Sequence, residues 1–309
     1  MPDSVNNTLP KSEILFLYES TYSIPNGDPF TGEQRFDEET KKVLVSDVRI
    51  KRFIRDHFAQ TRPNEVYVLN DASLKGAPNE SKDPESGAAA RHGALFGDLK
   101  GVKAETALKT LIDVKLFGGI LTKTSAAVNV TGPVQFALLN PSLNAVELRM
   151  HQNTSVFASS TTKARGAIGT TTVVPYALNQ IHGWVNPFAA EHTGLQQTHL
   201  DEMFTALWES INNANTRSKS NQNSLLLLQI IYAEKTKKLY GLDRKIKLTP
   251  KDNKREEQIR SIDDYDLDFT ALNNAVQDEK IGEVLFHTDH AELQSTLQDF
   301  NKFKAMNIE

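Results

Sequence analysis

SLLLLQIIYAE, residues 224 to 234, is a continuous apolar run of strand length with no two-residue alternation in its middle. Such a run has no polar face to give to water, so it predicts a central strand covered on both sides. EILFLY (13 to 18) is shorter, apolar and bounded by polar residues, and reads as a buried first strand. It leads into ESTYSIPNGDP (19 to 29), whose Pro-Asn-Gly-Asp-Pro at 25 to 29 is turn chemistry. Further strands are predicted at EVYVL (65 to 69), in VTGPVQFALL (130 to 139) after the break at Gly132-Pro133, at TTVVPYAL (171 to 178) and at IGEVLFH (281 to 287). Helical spacing occurs at 47 to 58, around 104 to 116, and from Thr198 with Asp201 as a capping-box-like start. Leu200, Phe204, Leu207, Trp208 and Ile211 form the buried stripe of that last helix. A final helix follows Asp289, with Leu293, Leu297 and Phe300 at helical spacing. Residues 70 to 93 show no period and read as an exposed insertion, and the Ser-, Thr- and Gly-rich 151 to 172 reads as a projecting loop or hairpin. Strands and helices are mixed, with long insertions and no internal repeat. The expectation is an α+β fold, a sheet with helices on one face, rather than regular βαβ alternation.

DVRIKRFIRDHF (47 to 58) stands out from a chain of 309 residues whose net charge is −4. At about 100° per residue, Ile50, Phe53, Ile54 and Phe58 fall on one face, and Lys51, Arg52 and Arg55 share an arc of roughly 100° beside it. Arg49 lies off that arc, toward a neighbouring loop or subunit. From Lys41 to Arg62 there are seven Lys or Arg against two Asp and no Glu, a concentration suited to nucleic-acid phosphates. The plainer reading is a solvated helix face that keeps the protein soluble.

Composition narrows the other classes. Hydrophobic residues at 39% and charged residues at 24% are ordinary globular values. With no Cys, disulfides, Cys-ligated zinc, iron–sulfur clusters and thiol catalysis are excluded. No apolar run approaches membrane-spanning length, and MPDSVNNTLPKS lacks signal-peptide features, so the chain reads as cytoplasmic with no membrane partner. Phosphate-loop, zincin and hydrolase-elbow motifs are missing their defining residues. Gly166-Ala-Ile-Gly169 has a GxxG spacing that occurs by chance in many loops. His287, Asp289 and His290 form a possible metal cluster without a third strong ligand, with helix capping the default for Asp289. Asp28, in the Asn-Gly-Asp-Pro turn, is a turn residue by default. No cofactor, metal site or catalytic residue is expected.

Four blocks in order carry a resemblance to a known family: residues 14 to 58, DVKLFGGILT (113 to 122), TGPVQFAL (131 to 138) and VVPYALNQIHGWVNPF (173 to 188). The chain resembles the backbone subunit of type I CRISPR Cascade complexes, the seventh Cas family of the RAMP superfamily, most nearly its type I-B branch. The first block is the most specific, since the turn, the Asp47-Val48-Arg49 start and the basic helix occur together. In KARGAIGTTT (163 to 172) the basic residues sit earlier than the Gly-Arg-Lys that relatives often carry. The resemblance implies a single elaborated domain over 1 to 309, an RRM-like modified ferredoxin fold. Its palm would span 13 to 69, 113 to 139 and 173 to 287 with a C-terminal helix at 289 to 305. A helical fingers insertion would occupy 70 to 112 and a thumb hairpin 140 to 172. It implies a non-catalytic subunit that polymerises along CRISPR RNA, beside further copies of itself and other Cascade subunits, and presents the guide to target DNA. The implied RNA-binding set is Asn26, Arg49, Lys51, Arg52, Arg55, Lys163 and Arg165. Type III relatives cut target RNA with an acidic loop residue, so a metal-dependent endoribonuclease using Asp28 is one alternative, and a protein-only scaffold is the other.

Overall fold

The apolar runs at 13 to 18 and 224 to 234 lie side by side and antiparallel, with Leu15 opposite Leu228 and Leu17 opposite Leu226. The computed structural model describes residues 9–69, 91, 95, 104–121, 128–154 and 168–308. In chain order these form β1 (Ser12–Ser23), β2 (Phe36–Asp37), β3 (Lys42–Ser46), α1 (Asp47–Thr61), α2 (Ala104–Lys109), α3 (Ile112–Phe117), β4 (Gly118–Leu121), β5 (Val128–Thr131), β6 (Val134–Phe136), β7 (Leu139–Pro141) and β8 (Arg149–Thr154). There follow β9 (Ile168–Val185), α4 (Pro187–Thr193), α5 (Gln197–Asn212), β10 (Gln222–Tyr232), β11 (Lys247–Pro250), β12 (Tyr265–Asp268), α6 (Thr270–Val276), β13 (Ile281–His287), α7 (Ala291–Gln298) and β14 (Phe303–Ala305). The main sheet runs β14-β13-β10-β1-β9-β6, and β8 pairs with the far end of β9. β1 is therefore an inner strand, paired along its length with β9 on one side and β10 on the other.

Successive side chains of a strand point to opposite faces, and both faces of β1 are apolar. Ile14, Phe16 and Tyr18 pack with α1 and α5, while Leu15 and Leu17 pack with the residues of α6, α7 and the β11–β12 hairpin. Helices thus cover both faces. The expectation of helices on one face is corrected by the composition of β10 itself, which alternates between Leu227 on one side and Leu226 and Leu228 on the other.

Five local readings also change. EVYVL forms no strand: Pro63–Glu65 is a 3-10 turn, and the backbone N–H groups of Tyr67 and Val68 donate to the Asp113 carboxylate at 2.7 and 3.0 Å. A side chain far along the chain replaces the ladder that a strand would need. Helix α5 is capped by Gln196 and His199, with the Gln196 N–H donating to His199 Nδ1 at 3.1 Å, so Thr198 and Asp201 do not form its box. Helix α7 begins after His290 with no side-chain cap, leaving Asp289 exposed. The C-terminal segment is not one helix to 305. α7 ends at Gln298, and β14 then pairs parallel with β13 through Val284 and Phe303. The strand expected at 171 to 178 extends over Ile168–Val185, which lets β9 hold β8 at one end and β6 at the other. Residues 155–167 and most of 70–103 lie outside the described residues.

Gly118 and Gly132 lie against each other where α3 enters the β4–β5 pair. Gly118 has φ +82°, and a Cβ on Gly132 would lie 2.0 Å from the Phe117 carbonyl carbon. Backbone cannot yield as a flexible side chain does. Gly132→Ala is expected to lower the unfolding free energy by about 3 kcal/mol, read from urea denaturation. Gly169→Ala, at a position with open space around it, is the matched control and is expected to stay within about 0.5 kcal/mol of the parent.

Candidate nucleic-acid interface

Helix α1 starts directly from β3, because the Ser46 hydroxyl accepts the Arg49 N–H at 3.3 Å and caps the first turn. Its buried stripe is Ile50, Phe53, Ile54 and Phe58, as the spacing predicts. Burying each such side chain contributes about 1.5–3 kcal/mol, so this face fixes which way the cations point. Asn26 ties the preceding turn to the same start. It is buried, its amide oxygen accepts the Ser46 N–H at 2.7 Å, and its own N–H donates to Gln34 Oε1 at 2.8 Å. Asn26 therefore positions the turn against the helix.

The cations of the predicted arc are each paired with a carboxylate. Lys51 Nζ lies 3.1 Å from Asp47 Oδ2 and donates to Gln135 Oε1 at 2.8 Å. Arg52 Nε meets Asp56 Oδ1 at 2.5 Å. Arg55 Nε meets Asp113 Oδ2 at 2.9 Å, with its guanidinium 5.2 Å from the centre of the Phe117 ring. Exposure separates the three: the Arg52 side chain is 36% exposed, those of Lys51 and Arg55 only 12% and 11%. Arg52 is the most exposed member of the arc, whereas Lys51 is bonded to Gln135 of β6 and Arg55 to Asp113 of α3. Arg49, off the arc, lies over the Phe53 ring at 3.8 Å. Burial is the main effect holding its pKa below the ordinary arginine value. Lys163 and Arg165 lie outside the described residues.

The signal that sequence reading missed is Lys219, in a polar stretch between α5 and β10 with no periodicity to mark it. Main-chain bonds from Thr21 N–H to Asn221 O (3.0 Å) and from Ile24 N–H to Ser218 O (2.9 Å) lash this loop to the end of β1. Lys219 Nζ donates to the Ile24 carbonyl. Phe30, almost fully exposed in the turn after β1, is a second residue that the turn chemistry around it obscured.

Asp28 is engaged on both oxygens. Oδ1 accepts the backbone N–H of Phe30 at 2.9 Å and of Thr31 at 3.4 Å, and Oδ2 lies 3.0 Å from Arg35. The Phe30 N–H is the main cause holding its pKa below the ordinary aspartate value. His287 Nε2 lies 3.6 Å from Asp289 Oδ1, and the His287 ring stands edge-on to Trp208. Among the described residues no group of three or more His, Asp or Glu is placed to hold a metal ion, and no helix is long and apolar enough to cross a membrane.

A family model described as CRISPR-associated protein Cas7 matches residues 10–270. A CRISPR-associated protein Cas7 of Haloferax volcanii is 29% identical over 297 residues, covering 86% of this chain and 82% of its own. Among solved structures, a chain of a CRISPR RNA-guided surveillance complex in a pre-nicking state superposes with a TM-score of 0.55 at 14% identity, over 96% of each chain. A chain of another CRISPR RNA-guided surveillance complex gives a TM-score of 0.51 at 15% identity, over 91% of this chain and 90% of its own. At these identities the structural likeness speaks for the fold.

Asp113 is fully buried and serves Arg55 and two backbone N–H groups at once. Asp113→Ala leaves a buried cation and two donors unpaired, and is expected to cost about 3–5 kcal/mol of stability in chemical denaturation. Arg52→Ala breaks only a half-exposed pair one helical turn apart and is expected to cost about 0.5 kcal/mol.

Proposed function

The chain belongs to the CRISPR-associated protein Cas7 family, and from that premise we propose that it is a non-catalytic backbone subunit that binds CRISPR RNA. Copies add head to tail along the guide in a type I surveillance complex, beside the other subunits, and leave guide bases available to target DNA, in the cytoplasm. The observation that carries this reading is the family match over residues 10–270, a range that includes the first strand, its turn and the basic helix. A cationic helix face positions a phosphate backbone without reading bases, as a subunit that accepts any guide requires.

In this reading the main sheet with α1 and α5 is the palm, an RRM-like core. Residues 70 to 112 form the fingers, and the hairpin of β8 and β9 within 140 to 172 is the base of a thumb. Arg49 and Arg52 contact phosphates, Lys51, Arg55 and Asn26 hold the helix and turn in place, and Lys163 and Arg165 add charge from the thumb. A metal-dependent endoribonuclease built on Asp28 has less support, because both carboxylate oxygens already brace the turn.

Three measurements test the proposal. Arg52→Gln is expected to weaken single-stranded RNA binding and to reduce the slope of log affinity against log salt by about 0.7, the value for one neutralised phosphate. Native mass measurements on RNAs of increasing length are expected to show subunit number rising with length. A constant number across lengths overturns the filament reading. Guide-complementary RNA with magnesium or manganese is expected to stay intact with wild type and Asp28→Ala alike. Cleavage by wild type that the variant loses moves the protein to the ribonuclease class.

A further inference from the structure

The segment after β10 repeats the charge contrast of α1: from Lys235 to Lys247 there are six Lys or Arg against one Asp. Two hydrogen bonds fasten it to the sheet. The Leu239 N–H donates to the Tyr232 hydroxyl at 3.0 Å, and the Gln180 side chain donates to the Asp243 carbonyl at 2.7 Å. Between this segment and the ends of β1 and β9 lies a cavity of about 400 Å³, with Glu13, His182 and Trp184 on the strands and Lys238, Tyr240 and Arg244 on the segment. Glu13 is buried and engaged on both oxygens: Oε1 accepts the Tyr232 hydroxyl at 2.6 Å, and Oε2 lies 2.8 Å from His182 Nε2. The His182 ring stands 4.3 Å from the Trp184 ring, so the buried acid fixes the aromatic floor. Lys238 Nζ lies 5.2 Å from the centre of the Trp184 ring, and among the described residues it has no carboxylate partner. Tyr240 is 84% exposed, with the Arg244 guanidinium 5.5 Å from its ring centre. Asp243, the other acid at the cavity, is 3.9 Å from both Arg244 Nε and His182 Nδ1.

Two aromatic rings, each with a cation over it, thus border one cavity of a size that small-ligand sites have. An apolar chain would use the rings and leave the cations bare, and a simple anion would do the reverse. A nucleotide has a flat base for the rings and a phosphate for the cations. A cation over a ring at an exposed site contributes less than a base stacked on it, so a base displaces Lys238 from Trp184 and frees its ammonium for the phosphate. No ion pair has to break for that exchange. We propose that this cavity is a second nucleic-acid site, which takes one nucleotide by stacking its base on Trp184 and holding its phosphate with Lys238 and Arg244, with Tyr240 at the rim. The register of β1 with β9 places Trp184 opposite Glu13 and His182 opposite Leu15. Both rings therefore lie on the face of the sheet that carries Leu15 and Leu17, whereas α1 covers the face of Ile14, Phe16 and Tyr18. The site is separate from the phosphate contacts assigned to α1.

Trp184 supplies the probe, because the chain has two tryptophans and Trp208 is buried in the core. The full-length protein is titrated with a single-stranded oligoadenylate labelled at one end and, separately, with AMP. Anisotropy of the label reports binding anywhere on the protein, and tryptophan emission reports the cavity. Wild type is expected to lose emission as the oligoadenylate binds, and Trp184→Phe is expected to bind with no change in emission. Tyr240→Ala is expected to weaken the quenching interaction about tenfold, and Lys238→Gln to lower its salt slope by about 0.7, each with an unchanged thermal transition. Quenching at lower concentrations of oligoadenylate than of AMP assigns the site to a strand, and equal affinity assigns it to a free nucleotide. Both results uphold the nucleotide pocket. Binding seen by anisotropy with unchanged emission, or a change that persists in Trp184→Phe, overturns the pocket and leaves the reading of α1 standing. No binding of the oligoadenylate overturns both. Emission that shifts with protein concentration alone and does not respond to either ligand assigns the cavity to a second copy of the chain, and also overturns the proposal.

Discussion

A strand that is apolar on both faces has to be covered on both, and that constraint on β1 and β10 organises everything else. One cover is the pair α1 and α5, whose stripes meet Ile14, Phe16 and Tyr18. The other is the C-terminal set of α6, α7 and the β11–β12 hairpin, which meets Leu15, Leu17, Leu228 and Ile230. Each covering element is therefore fixed in direction by the strand beneath it. For α1 the consequence reaches function, because burying Ile50, Phe53, Ile54 and Phe58 leaves the helix no choice about where its cations emerge.

Charge on that helix is distributed by distance and burial. Asp47 lies one turn before Lys51 and Asp56 one turn after Arg52, so those pairs follow from helical geometry alone. Asp113 is different in kind. It is fully buried, far along the chain, and serves Arg55 together with the N–H groups of Tyr67 and Val68, so it joins α1, the segment after it and α3 at one point. A buried pair of this sort fixes geometry more than it adds stability, since desolvation offsets much of the attraction. Its effect here is to hold the helix at one register against β6 and α3, with the unpaired Arg49 left at the other end.

Elements whose residues carry their own period were legible in the sequence. The stripe of α1, the stripe of α5 and the run of β10 lie where spacing and composition put them. What failed was set by distant partners. EVYVL has strand composition, yet the Asp113 side chain takes the N–H groups that a neighbouring strand would need. The three cations lie where helical spacing puts them, but angular position on a helix does not disclose a carboxylate on another element, such as Asp113 beside Arg55. Lys219 was invisible because its partner is tertiary: a lysine in a polar loop reaches the Ile24 carbonyl once the loop is bonded to the end of β1. The run of β10 sends apolar side chains to both faces, so a cover on the second face follows from its composition.

The arrangement also bears on how assembly and folding couple. Burial first, and then the charge of Arg49, lowers the Lys219 pKa, so holding that ammonium charged costs stability in the free chain. An anion that binds the folded chain and not the unfolded one removes the cost and adds its own binding free energy to folding. In a chain of net charge −4, the cations of α1 are a local departure from the overall charge. Local positive charge on an acidic chain favours a polyanion bound at that patch over one adsorbed at random, since counterion release is available only where phosphates meet fixed cations. β1 links the two regions, because it carries Tyr18 into the cluster that α1 covers and bonds its end to the loop before β10.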